Sequence, residues 1–136
     1  MIFPYKRVGD GYVRPIIPID IRFAGEEMTC EVLVDSGADI NLLSADVGEV
    51  LGIPVREGRE ATVGGIGGTG IPIFIHPVSI TVGGWSFDVE MAFMPDMPTV
   101  GYGVVGQKGF FDLFRVQFDL RNERIELEPN RVFQMT

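Results

Sequence analysis

The chain has 136 residues, of which 46% are hydrophobic and 22% charged, with 18 glycines and 9 prolines. That length suits one domain with its own core, that balance excludes a disordered chain, and frequent turns between short apolar runs favour an all-β design. A formal charge of -8 at pH 7 excludes a basic phosphate-binding face, so nucleic acid is not an expected partner.

Residues 1–11 read as a loose leader ending in the turn signal Asp10-Gly11. Met1 to Arg7 lacks the long apolar stretch of a signal peptide, and no run in the chain approaches the roughly 18 apolar residues of a membrane span. From Arg14 the pattern becomes strand-like. Ile17, Ile19, Ile21 and Phe23 alternate with Pro18, Asp20 and Arg22, the period of a half-buried strand. Ala24 to Glu27 reads as a hairpin turn. A second strand, Met28 to Val34, becomes wholly apolar at Val32-Leu33-Val34, as a strand buried on both faces would. Cys30 lies in it and reads as a small core residue. As the only cysteine it can form no disulfide within the chain, which is compatible with a reducing compartment and a cytoplasmic location.

The second strand ends at Asp35-Ser36-Gly37. Ile40 to Leu51 is ambiguous, and one reading of it is a strand piece followed by a short helix capped by Ser44. Residues 61–63 and 71–75 are β-rich arms around a glycine-dense tip. His76, the only histidine, continues the second arm in a strand-like setting before Pro77, so it reads as a structural histidine. A hydrolase built on His76 and a nearby serine is the competing reading. One histidine and one cysteine exclude a Cys/His metal cluster, and no cofactor is expected. Gly83-Gly84 marks a hairpin turn, and Trp85 to Met94 returns as a strand. Pro95 to Pro98 is a loop. Val104-Val105-Gly106 leads into Gln107–Arg115, where Phe110, Phe111 and Phe114 have helical spacing and predict a short helix packed on the core. A last hairpin joins Val116, Phe118 and Leu120 to Ile125 and Leu127. With no repeat and no linker, residues 1–136 read as one domain with a core over about 14–127.

The segment that carries chemistry is Val34-Asp35-Ser36-Gly37-Ala38-Asp39. A buried strand delivers a carboxylate to a tight turn. Gly37 lets the backbone fold against that carboxylate, and the Ser36 hydroxyl can lock the loop. Asp-Ser-Gly also occurs as an ordinary turn. Acid–base hydrolysis by carboxylates needs two of them, close enough that one stays protonated while the other acts as a base. No second Asp-[Ser/Thr]-Gly exists in the chain. A dyad would therefore need the Asp35 of a second copy, which a two-fold axis supplies.

The glycine tip, Val63-Gly64-Gly65-Ile66-Gly67-Gly68-Thr69, offers backbone that an extended peptide could hydrogen-bond, and it could close as a lid. A hairpin without a role is the bland alternative. Gly65 to Gly70 also fits G-x-G-x-x-G. That motif needs a helix next, and Ile71-Pro72-Ile73-Phe74-Ile75-His76-Pro77 opposes one.

Taken together, these features resemble the retropepsin-like (retroviral-type) aspartic proteases of cellular or bacterial kind, over roughly Arg14 to Leu127. Arg14-Pro15 with the alternating isoleucines looks like the first core strand. The Asp35 segment looks like the catalytic loop, Gly64 to Gly68 like the flap, and Val104-Val105-Gly106-Gln107 like the element that supports the catalytic loop. The resemblance implies an all-β closed barrel with one short C-terminal helix, paired as a homodimer. It implies Asp35 as the catalytic residue of each protomer and Ser36 and Gly37 as loop support. Substrate contacts would come from Ala38, Asp39, Ile40, Leu42, Gly64, Gly65, Ile66, Val100, Tyr102 and Val104. Gly64, Gly65, Ile66, Gly67 and Gly68 would form the flap, and Arg14, Asp39 and Gln107 the dimer contacts. The implied partners are a second copy and an extended peptide or protein substrate. Ser36 stands where many retroviral members carry threonine, and Gln107 where they carry arginine. The alternative function is a dimerisation or peptide-binding module that keeps the fold without proteolysis.

Overall fold

A computed structural model describes residues 1–64, 70–97 and 102–130, and in it the short apolar runs fold as strands. They are β1 (Ile2–Pro4), β2 (Lys6–Val8), β3 (Tyr12–Arg14), β4 (Ile16–Phe23), β5 (Glu26–Val34) and β6 (Leu42–Ser44). Helix α1 (Ala45–Val50) and a single 3-10 turn (Val55–Glu57) come next. β7 (Arg59–Val63), β8 (Ile71–Val82), β9 (Trp85–Met94), β10 (Gly103–Val105), β11 (Phe114–Asp119) and β12 (Arg124–Pro129) complete the order.

Alternation fixes the first hairpin. Ile17, Ile19 and Ile21 of β4 are at most 1% exposed, and the residues between them face outward or sit at the rim. Burying each of these side chains stabilises the fold by about 1.5–3 kcal/mol. β5 pairs antiparallel with β4, from Ile16 opposite Leu33 to Phe23 opposite Glu26. Its apolar end also pairs parallel with β10, Val32 to Val34 against Gly103 to Val105. That two-sided position is why Val32-Leu33-Val34 carries no polar residue.

The barrel closes in the order β4-β5-β10-β6-β9-β8, with β8 returning to β4 at Asp20–Thr81, Ile21–Ile80 and Arg22–Ser79. Closure removes the sheet edges that a flat array would leave open. β7 stands outside this ring and pairs only with β8. The all-β, closed-barrel reading is thus borne out. So is the short helix after Ser44, whose Oγ accepts the Asp46 N–H at 3.2 Å as an N-cap.

Two expectations are corrected. The predicted helix over Gln107–Arg115 is a series of turns over 107–113 that runs into β11 at Phe114, and α1 is the one α-helix among the described residues. Phe110, Leu113 and Phe114 are buried as that pattern foresaw. Yet Gly109 has φ +98°, outside the helical region, and its N–H is taken by the Asp112 carboxylate at 2.9 Å. Backbone bonds then run irregularly, Phe111 to the Gly106 carbonyl and Leu113 to that of Phe110. Aromatic spacing reported burial, but a left-handed residue and a competing side-chain acceptor interrupt a helix.

Nor is the start of the chain a loose leader. β1 pairs with β12, Phe3 opposite Ile125, and the Met1 ammonium donates to the Leu127 carbonyl at 2.9 Å. β2 and β3 form a hairpin around Asp10-Gly11. The segment is short, but Met1, Phe3 and Tyr5 pack against the core and its backbone groups find a ready partner in the open edge of β12.

Candidate active site

Asp35 emerges where β5 runs out of apolar residues. Its N–H donates to the Val105 carbonyl at 3.0 Å, and the Val34 N–H donates to that of Pro15 at 2.9 Å. The strand end is thus clamped from both sides by parallel β10 and the entry to β4. Beyond it the chain turns sharply, the Ala38 N–H reaching back to the Asp35 carbonyl at 3.1 Å. The Asp35 Oδ1 accepts the Gly37 N–H at 2.9 Å. A Cβ on Gly37 would lie 3.2 Å from that same oxygen, so any larger residue would crowd the carboxylate. Asp35 is half-buried and Ser36 and Gly37 are exposed. The result is an acid fixed at the rim of a core and facing outward.

The turn after β10 holds the loop from behind. The Gln107 N–H donates to the Ala38 carbonyl at 2.8 Å, and the Lys108 N–H to that of Asp39 at 2.9 Å. The Gln107 side-chain amide donates to the Ser36 carbonyl at 2.5 Å. A Cβ on Gly106 would come within 2.3 Å of the Ala38 carbonyl oxygen, so only glycine permits this approach. Val104-Val105-Gly106-Gln107 therefore supports the loop as the sequence implied.

Sequence reasoning missed Asn41. It is fully buried, with Oδ1 accepting the Gly106 N–H at 3.0 Å and Nδ2 donating to the Gly109 carbonyl at 3.1 Å. One side chain thereby pins the segment that leaves the Asp35 loop to the turn that supports it. The signal was present: an amide set between Ile40 and Leu42-Leu43 must find partners when the run is buried.

Of the expected substrate contacts, Ile40 and Leu42 are half-buried. They pack on a small apolar cluster of Ile73, Ala92 and Met94, joined by Ala61 and Val63 of β7 and by Ile75. This surface connects the catalytic loop to the base of the β7–β8 arms. Ala38 and Val104 are half-buried, Asp39 is exposed, and Val104 pairs with Leu42. Tyr102 is placed elsewhere, lining a cavity of about 440 Å³ with Cys30, Leu43, Val47 and Met97 that does not include Asp35. Burial raises the Cys30 thiol above its ordinary value, and the Asp20 carboxylate adds to the effect. Cys30 is accordingly a poor nucleophile there.

Gly64 closes β7 with φ +75°. Gly65, Ile66, Gly67 and Gly68 of the expected flap, and Val100, lie outside the described residues. Arg14 and Asp39 are both exposed, and among the described residues neither forms an ion pair within the chain. His76 is buried, its Nε2 is 2.7 Å from the Val55 carbonyl, and its ring meets Phe93 edge-on at 6.0 Å. A carbonyl only accepts, so Nε2 carries the proton. That contact commits the ring to a core hydrogen bond, as the structural reading expected. Among the described residues no three histidine, cysteine or acidic side chains are placed to hold a metal ion, and no helix is long and apolar enough to cross a membrane.

A sequence model of a family described as aspartyl protease matches residues 19–108. Among solved structures, the chain is similar to a retropepsin-like aspartic protease from Rickettsia conorii, with 15% identity, 93% of this chain and 89% of that one covered, and a TM-score of 0.66. It is also similar to the retroviral protease-like domain of Ddi1 from Leishmania major, at 16% identity, 85% and 94% coverage and a TM-score of 0.59. EIAV protease complexed with the inhibitor HBY-793 aligns at 24% identity, 74% and 88% coverage and a TM-score of 0.50. At such identities these likenesses speak to the fold. No curated protein sequence gives a significant match.

Proposed function

The chain belongs to the aspartyl protease family, and from that premise we propose that it is an aspartic endopeptidase whose active site forms between two copies. The observation that carries this reading is the Asp35 carboxylate. It is held by the Gly37 N–H at 2.9 Å on an outward-facing loop, and the chain has only one such Asp-Ser-Gly turn. One carboxylate is half of the required chemistry. A two-fold axis near Asp35 brings the Asp35 of a second copy beside it, and two carboxyls in contact share one proton.

In that pair the ionised carboxylate takes a proton from a water, and the water oxygen bonds to the scissile carbonyl carbon. The protonated partner gives its proton to the carbonyl oxygen, leaving a neutral tetrahedral diol. The diol then returns a proton to a carboxylate, the nitrogen is protonated, and the carbon–nitrogen bond breaks to give acid and amine. Ser36 ties the two loops together in this reading. Ala38, Asp39 and Gly64 to Gly68 bind the substrate backbone, with the β7–β8 hairpin as the flap. Ile40, Leu42 and Val104 favour apolar side chains beside the cleaved bond, and Val100 would extend those walls. Arg14 paired with the Asp39 of the second copy, together with Gln107, would hold the dimer. A cytoplasmic setting, in which Cys30 stays reduced, belongs to the same proposal.

The test is a peptide-library cleavage assay at mildly acidic pH alongside sedimentation. The wild type should sediment as a dimer and cut extended apolar sequences. Asp35→Asn should keep the far-UV spectrum and lose cleavage. Unchanged cleavage by that variant would sink the proposal, and a stable wild-type dimer that cuts nothing would favour a peptide-binding module.

A further inference from the structure

The Gln107 side chain was expected at the dimer contact, in a segment expected to support the Asp35 loop. It is, however, engaged inside its own chain, and the group it meets is informative. The Gln107 amide donates to the Ser36 carbonyl at 2.5 Å. The Gly37 N–H donates to Asp35 Oδ1 at 2.9 Å. The Ser36 carbonyl and the Gly37 N–H are the two ends of one peptide unit, which is planar and turns as a rigid body. Holding its oxygen therefore aims its N–H.

We propose that Gln107 is a positioning residue for Asp35, acting through the Ser36–Gly37 peptide plane. This rests on the endopeptidase reading of Asp35. Three features support it. A carbonyl accepts only, so the NH₂ end of the Gln107 amide must face Ser36, which fixes the side chain's orientation. The Gln107 backbone N–H is itself committed to the Ala38 carbonyl at 2.8 Å, so the side chain springs from a point anchored to the same loop. Finally, donation to a peptide oxygen polarises that peptide and strengthens what its N–H gives. The chain amide–peptide–carboxylate thus helps hold the reacting oxygen in one orientation. No other residue among those described bonds the Ser36 carbonyl.

The test compares Gln107→Glu, Gln107→Met and Gln107→Arg in the full-length dimer. Glutamate keeps the shape but offers acceptors to an acceptor, methionine offers neither, and arginine restores a donor of greater reach. Glutamate and methionine should lower kcat about tenfold, the scale of one aligned hydrogen bond, with KM nearly unchanged. Arginine should recover most of kcat. In amide NMR spectra, the Gly37 proton should move upfield and exchange faster in the glutamate and methionine variants and return with arginine. Wild-type kcat in both the glutamate and methionine variants would overturn the proposal. So would a loss of activity traced by sedimentation to dimer dissociation with the Gly37 signal unmoved. The Gly37 signal needs no turnover. If the wild type cuts no peptide, the endopeptidase reading falls separately, and that signal still decides whether Gln107 sets the plane.

Discussion

The Asp35 loop and the β7–β8 arms face the same apolar surface but are fastened in different ways. The loop is held by backbone: the turn after β10 donates to the carbonyls of Ala38 and Asp39, and buried Asn41 bolts that turn to the strand leaving the loop. β7 has one neighbour, β8, and a largely exposed burial pattern. Its side chains are fastened by Ala61 and Val63 against the small apolar cluster and by an ion pair between exposed groups, Arg59 to Glu90 at 2.8 Å. Buried amides that lose a partner cost their desolvation, whereas exposed ion pairs lose little. The physical chemistry therefore holds the loop rigidly, while β7, outside the barrel ring and paired with β8 alone, is the less firmly held of the two. The proposed endopeptidase site, which must hold an acid still and admit a long substrate, needs both.

The largest break in this contrast should come at Asn41. Asn41→Leu removes both of its hydrogen bonds and leaves the buried Gly106 N–H and Gly109 carbonyl unpaired. At about 1–3 kcal/mol for each orphaned group, partly offset by the apolar side chain, the loss should be about 2–4 kcal/mol. Urea unfolding should show a lower midpoint at unchanged slope. Amides of residues 35–39 should exchange faster, with those of β7 little affected.

Gly106→Ala should follow. Its methyl would meet the Ala38 carbonyl at 2.3 Å, a backbone atom that cannot swing aside. Relief requires a shift of the catalytic loop itself, at about 1–3 kcal/mol of overpacking. If Asp35 acts as proposed, a displacement near 1 Å should lower kcat about 100-fold. Full activity in a folded Gly106→Ala protein would show that the loop tolerates displacement, and the contrast with the arms would weaken.

The two regions were also unequally legible in the sequence. Strands with a clean period of two, such as Ile17-Ile19-Ile21, could be placed because local alternation and tertiary burial agree there. Asp35-Ser36-Gly37 could be read as an acid on a tight turn because its three residue types each have a local use. Asn41 could not, since its partners, Gly106 and Gly109, lie 65 and 68 positions away and the amide's role exists only once β6 and β10 meet. The same distance hid the Gln107 contact to Ser36, 71 positions off. Phe110, Phe111 and Phe114 misled for the opposite reason: their spacing reports which side is buried, and the backbone follows Gly109 instead. Residues 1–11 looked loose because nothing in them foretells the edge of β12.

The smallest effect should sharpen the comparison most, because it acts on the arms alone. Glu90 receives Arg59 from β7 and Lys108 from the turn behind the catalytic loop, at 2.8 and 3.2 Å. Hydrogen bonds from Arg59 and then Lys108 hold its carboxyl below the usual glutamate range. A carboxyl with a depressed folded-state value adds stability above its unfolded value, near 4.5, and loses it as pH falls through the folded one. Each pair is solvent-exposed, so about 0.2–1 kcal/mol is the expected scale. Arg59→Gln should therefore cost that little near pH 6, nothing near pH 2, and less in strong salt, since screening weakens exposed pairs. Amides of β7 should exchange faster while those of residues 35–39 stay as they are. Lys108→Gln leaves Arg59 its partner and should spare β7. If Arg59→Gln instead loosened residues 35–39, Glu90 would be a strut between β7 and the Asp35 loop, and the two regions would have to be treated as one.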